Sequence, residues 1–393
     1  MRKLPRPQKT PQRTRHLKVF LAGFYLCYYL FLNCTELLAI ELLFLRDQEI
    51  SSSYEFQNAP FGGISGGIQD PSGELFLISD HRGPHPAPRM YRAEIATEGG
   101  SIIELTDTIS LRMDKFPRLK AEAFDGESIA LDNRGRFYIG TEPDLKSKPR
   151  IPARIAAFSS TGVLEYLVKI PRFLQNNLAK GMRDNAGFES LAINGKSSKM
   201  LAIVEDPLLL DGTEAAIKNP ALVRIIEFKG SKNSTFLPSR EYLYPVDPLE
   251  REPNEGESDI KYSHNGVSDA IFLDDDSLLV LERGSIQNKN GAWRNTAVIY
   301  QIDLSKEPFL TVSTKGRNPP ALKNRKAVKK SLVLDLNQIK PKLSSESKTL
   351  DNLEALIYCK PTPTQPEPLL LVISDNNFNA TQKTQILSFR MIK

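Results

Sequence analysis

A chain of 393 residues with 40% hydrophobic and 25% charged residues has the composition of a globular protein and can bury a large core. Its formal charge of +5 is misleading, because residues 1–18 hold seven Lys and Arg and no acid, so the remainder carries −2. The body is therefore no polycation, which excludes the electrostatic footprint of a nucleic-acid binder.

Those basic residues lead into VFLAGFYLCYYLFLNC (19–34), a nearly unbroken apolar run. A basic stretch followed by an apolar one is the pattern of a secretory signal. The run is long for a signal and short for a spanning helix. Residues 1–36 are read as a signal peptide or membrane anchor, and residues 37–393 as the exported body, periplasmic or extracellular. The sequence FLNC ending at Cys34 resembles a lipid-attachment box, with Asn33 where a small residue is expected. Only Cys359 lies in the body, so neither an internal disulfide nor a Cys-based zinc site can form there.

A short phrase then recurs five times: FGGISGGIQD (61–70), FDGESIALDN (124–133), GFESLAINGK (187–196), NGVSDAIFLD (265–274) and DNLEALIYCK (351–360). An apolar run ending in an acid follows each copy. These acids are Asp80, Glu142, Glu205, Glu282 and Asp375. Acids also stand within the phrases, at Glu127, Glu189, Glu354 and, one place later, Asp269; the first copy has Ser65 there. Gly, Asn and Asp punctuate the joints, so each phrase and its run read as two strands joined by a turn. Two strands so joined are antiparallel, which brings the start of one beside the end of the other. Both acidic positions then fall on one end of every unit.

Two more strand-like segments follow each of the first four copies, at 88–96 and 101–110, 153–160 and 163–170, 221–230 and 240–246, and 296–304 and 331–336. Only 385–393 follows the fifth. Four strands make a propeller blade, and repeats spaced by about 60 to 85 residues suit that architecture. The fold predicted is all-β, a single propeller of four-stranded blades. Five blades are visible and a sixth is left open. An N-terminal strand from 37–45 or 47–57 would complete the last blade and remove a free edge.

Arranged around an axis, the units place about nine carboxylates on one rim, where they repel unless cations sit among them. Calcium takes six to eight oxygen ligands, and Asp80, Glu127, Glu142, Glu189, Glu205, Asp269, Glu282, Glu354 and Asp375 are the candidate set. Alternatively these acids bond backbone N–H groups and Arg side chains and so lock blades together. Arg82 and Arg283 follow rim acids and could grip phosphate oxygens or pair with the acids. His81, His85 and His264 fall in loops at the same end, as a general acid or a metal ligand would. GISGG (63–67) matches the G-x-S-x-G nucleophile pattern, but that elbow needs a strand running into a helix, and here it opens a β repeat.

The phrases resemble the phytase-like family described as having esterase-like activity of phytase. The resemblance rests on FGGISGGI with LFLISDHRG, FDGESIALDNRGRFYIGTEPD, NAGFESLAIN with VEDPL, HNGVSDAIF with LLVLERG, and LDNLEALIY with VISDNNF. It covers about residues 58–393. It implies a β-propeller, export and calcium-dependent phosphate-ester hydrolysis. The expected function is thus an exported calcium-dependent phosphoesterase that uses metal-activated water, with His81, Arg82, His264 and Arg283 as catalytic candidates. The alternatives are a calcium-dependent lactonase or carboxylesterase, and a non-catalytic binding propeller. The expected partner is a small-molecule phosphate ester or ester, with no nucleic acid, and the protein is expected to be a monomer.

Overall fold

The computed structural model describes residues 40–80, 88–96, 102–116, 119, 124–175, 180–230, 235–251, 256, 259–315, 318–363 and 366–392. The targeting segment 1–36 lies outside them. Residues Glu41–Ile392 form one compact unit.

Among the described residues, five antiparallel sheets form a β-propeller. Blade 1 holds Ile64–Gln69, Leu75–Ser79, Arg89–Ile95 and Ile103–Ser110 from the inside outward. Blade 2 holds Gly126–Leu131, Phe137–Thr141, Ile155–Phe158 and Leu164–Leu167. In blade 3, Phe188–Ile193, Lys199–Val204, Ala221–Gly230 and Phe236–Val246 gain a short fifth strand, Leu310–Thr311. Blade 4 holds Ile260–Phe272, Ser277–Asn288, Trp293–Asp303 and Lys330–Asp335. The last blade holds Asn352–Cys359, Leu369–Asp375 and Lys383–Ile392, and Glu41–Ser51 pairs antiparallel outside them. The closing strand thus straddles the two segments expected to supply it, and no sixth blade is present among the described residues.

The hairpin turns explain the punctuation of the phrases. Asp70, Asp132, Asn194 and Asp274 each begin the turn between the first two strands of blades 1 to 4. Each side-chain oxygen accepts two backbone N–H bonds across the turn, for example from Arg134 at 2.9 Å and Arg136 at 3.0 Å onto Asp132 Oδ1. Asp and Asn are favoured at turns because they cap their own backbone in this way.

Strands buried on both faces read as continuous Ile, Leu and Val runs. Ile78, Phe76, Ile129 and Ile139 fill the space between blades 1 and 2, and Ile64, Leu77, Ile357 and Ile373 that between blades 5 and 1. A third cluster spans blades 2 to 4. The innermost strands pack in the closed order 1–2–3–4–5–1. Polar side chains lock neighbours together near the axis. Ser128 Oγ donates to the Phe188 carbonyl at 2.6 Å, and Ser190 Oγ to the Ala270 carbonyl at 3.3 Å.

Candidate metal centre

The acids reach the axis through a backbone irregularity shared by all five blades. In every blade the register of the two inner strands slips near the axis, where the extra residue is Ser65, Glu127, Glu189, Ser268 or Glu354; blade 4 slips a second time between Ile260 and Tyr262. Such a bulge re-aims one side chain while its neighbours stay in the ladder. Beside it, at the end of the second strand, stand Asp80, Glu142, Glu205, Arg283 and Asp375. Asp80 N–H donates to the Gly63 carbonyl at 2.6 Å, Glu205 N–H to Gly187 at 3.3 Å, and Arg283 and Asp375 pair with Gly266 and Asn352. Glycine at 187 permits the blades to meet, since a Cβ there would lie 2.5 Å from the Glu142 Cα.

This register corrects the sequence alignment in blade 4. Ser268, not Asp269, is the bulged residue, and Arg283, not Glu282, holds the strand-end place. Asp269 falls one step on and turns toward blade 5, where its carboxylate accepts N–H bonds from Leu356 and Ala270 at 2.7 Å each. Glu282 accepts bonds from the Tyr244 hydroxyl at 2.8 Å, Asp247 N–H at 3.1 Å and Asn265 Nδ2 at 3.2 Å, and pairs with Lys330. Both are blade-locking acids that do not line the central cavity. Asp269→Ala is expected to lower stability by about 2–4 kcal/mol, because it strands two buried N–H donors. Thermal unfolding checks this, and cation affinity should not change.

The other seven acids come together. Asp80, Glu127, Glu142, Glu189, Glu205, Glu354 and Asp375 line one cavity of about 340 Å³. Donor atoms of Glu127, Glu142 and Glu189 lie within 4.8 Å of one another, as do those of Asp80, Asp125 and Glu127. Glu205, Asp206 and His264 form a third such group.

Electrostatics follow from this crowding. Burial, then the charges of Glu142, Asp125, Glu189 and Asp80, hold Glu127 well above the usual carboxylate range. Burial and then Glu205, Glu142 and Glu354 do the same to Glu189, and burial and Asp80 do so to Asp375. Glu205 is pushed up to about 7 by burial, which outweighs the opposing charges of His264 and Arg283. The His264 ring is buried, which lowers its pKa. Its 2.8 Å bond from Nε2 to Asp206 and the charge of Glu205 more than reverse that, and the net shift is upward. Arg283 lines the cavity too, and its Nη2 donates to Glu354 at 2.9 Å and to Glu205 at 3.4 Å.

The residues present fit a hard divalent cation. The Glu127, Glu142 and Glu189 donors are all carboxylate oxygens, as such ions prefer. The Oε1 atom of Glu189 is buried without a hydrogen-bond partner, an arrangement that costs stability unless a cation meets it.

Two of the catalytic candidates, His81 and Arg82, and also His85, lie outside the described residues. Ser65 sits at the blade 1 bulge with its Oγ buried and unbonded, and its strand turns into another strand rather than a helix. Ser65→Ala is accordingly expected to change turnover by less than about twofold, measured as kcat on an aryl ester. Asp125, Asp184, Asp206 and Glu214 line the cavity or its metal-competent groups without having been picked from sequence. Asp206 adjoins Glu205 directly and Asp125 stands two places before Glu127, which is a usable signal. Asp184 and Glu214 arrive on long insertions, and no repeat marks them.

Comparison with known families decides the affiliation. The family model described as "Phytase-like: Esterase-like activity of phytase" matches residues 59–378. The chain belongs to this phytase-like family. At that level it is linked to esterase and phosphoesterase activity, and its carboxylate groups are competent to hold metal. Similar solved structures include the Dos1 propeller, at 10% identity over 85% of this chain and 68% of that one, TM-score 0.33. A thermostable family-43 glycoside hydrolase is 11% identical over 87% and 93%, TM-score 0.43. The GH74 xyloglucanase from Xanthomonas campestris is 12% identical over 83% and 43%, TM-score 0.33. A search of curated proteins found no match. In this phytase-like chain the sites must therefore be argued from its own residues.

Proposed function

We propose that the protein is a calcium-dependent phosphoesterase acting on a small phosphate ester. The observation that carries this reading is the cavity on which ten carboxylates converge, seven of them repeat acids, with an unsatisfied buried oxygen on Glu189. Glu127, Glu142 and Glu189 would hold the ion, with Asp80 and Asp125 on the far side of Glu127. A divalent cation there supplies positive charge to phosphate oxygens and acidifies water. Glu205, shifted to about 7, can take up or release a proton near neutral pH, as a general base must. Arg283 Nη2 donates to that carboxylate at 3.4 Å, and the His264–Asp206 pair lies within 4.8 Å of it.

The test is turnover of p-nitrophenyl phosphate and p-nitrophenyl acetate by the full chain, with calcium or with EDTA. Calcium-dependent release from the phosphate supports the proposal. Release from the acetate alone makes the protein a carboxylic esterase, and calcium-dependent melting without turnover of either makes it a binding propeller. Export is proposed on the basic and apolar pattern of residues 1–36; recovery of the chain solely from the cytoplasmic fraction would overturn it.

A further inference from the structure

Arg283 stands where the other four blades carry an acid, beside the bulge on the second strand, which in blade 4 runs on to Asn288. Its side chain is largely buried, at 14% exposure, and its guanidinium bonds two carboxylates from different blades, Glu205 of blade 3 and Glu354 of blade 5. The carboxylates of these two residues are nine-tenths buried or close to it. Two acids so buried would repel each other strongly across a low-dielectric gap without a cation between them. Here the chain supplies that cation. Beside this pair the chain supplies an acid instead: Glu189 feels the charges of Glu205 and then Glu142, and its Oε1 has no hydrogen-bond partner. Arg283 thus pairs with Glu205 and Glu354, whereas the Glu127, Glu142 and Glu189 donors converge within 4.8 Å on an all-oxygen group; the group of Glu205, Asp206 and His264 includes a ring nitrogen.

We infer that Arg283 is a tethered cation that takes the place of one metal ion, limiting how many ions the ring binds and confining them to the Glu127–Glu142–Glu189 side. This rests on the metal reading of the cavity and extends it. A guanidinium is permanently charged and cannot be exchanged or chelated, so Glu205 and Glu354 keep a counter-charge between them under all ionic conditions. Glu205 is thereby kept from metal coordination and remains available to titrate.

The experiment is the calcium stoichiometry of the folded full chain, by equilibrium dialysis and atomic emission at saturating calcium. Arg283→Gln is expected to bind one more ion per chain than wild type. Arg283→Lys, which keeps the charge, is expected to match wild type. Adding Glu354→Gln to Arg283→Gln should remove the extra ion. An unchanged count in folded Arg283→Gln overturns the inference. Should circular dichroism show that variant unfolded, Glu354→Gln alone decides. A wild-type count upholds the assignment, and a loss of one ion overturns it. Failure of the metal reading is distinguishable, because wild type would then bind no calcium at all. One ion gained by Arg283→Gln would still uphold the tethered-cation assignment, and no gain would end it.

Discussion

Replacing Glu127 and Glu189 together by Gln is expected to abolish calcium binding and to cut phosphoester turnover by about a hundredfold or more. Loss of a cation removes several kcal/mol of charge stabilisation in the transition state, and each 1.4 kcal/mol is about tenfold in rate. The same double variant should be more stable than wild type in EDTA. Both side chains are buried among acids, and the neutral amides remove like-charge repulsion without changing shape. This opposite sign separates metal ligands from structural acids. Asp269 satisfies two backbone donors, so its truncation only costs stability. Melting temperatures with and without calcium, beside kcat and KM, provide the check. A double variant that still responds to calcium like wild type would sink the ligand assignment.

The repeat made the propeller legible, because its turn residues and apolar runs are local features that recur five times. The acids at Glu127, Glu189 and Glu354 were equally legible, since the bulge places the same phrase position at the axis in blades 2, 3 and 5. Blade 4 was misread for a physical reason. Its phrase has Ser268 at the bulge and an acid one residue on, and composition alone cannot show which of the two leaves the ladder. A one-residue slip sends a side chain to the other face. The same slip moved the place beside the bulge from Glu282 to Arg283, turning a supposed acid of the ring into a permanently charged cation. Asp184 and Glu214 were invisible because insertions carry them, and only the folded chain brings insertions back over the rim.

Metal-free protein is expected to lose stability as pH rises from about 5 to 8, and calcium is expected to cancel that loss. Glu205 moves from the ordinary 4.5 to about 7 on folding, and Glu127, Glu189 and Asp375 move in the same direction. A folded state whose acids have raised pKa values binds protons more tightly than the unfolded chain. Its advantage is complete below about 4.5 and disappears as pH rises through about 7. His264, also shifted upward, adds to the same trend, since its contribution is full below 6.5 and fades above its folded value. Calcium competes with the protons on Glu127 and Glu189 for the same oxygens, so its affinity should grow over the interval in which the metal-free protein weakens. At a hundredfold excess over Kd the ion stabilises the native state by about 2.7 kcal/mol, on the order of 5 °C in Tm for a domain of this size. Calorimetry at pH 5, 6, 7 and 8, with EDTA or calcium, measures both slopes. The calcium shift should be small at pH 5 and largest at pH 8. A metal-free Tm that climbs across this range, with a calcium shift independent of pH, would mean that the ring acids are charged and satisfied by the protein alone.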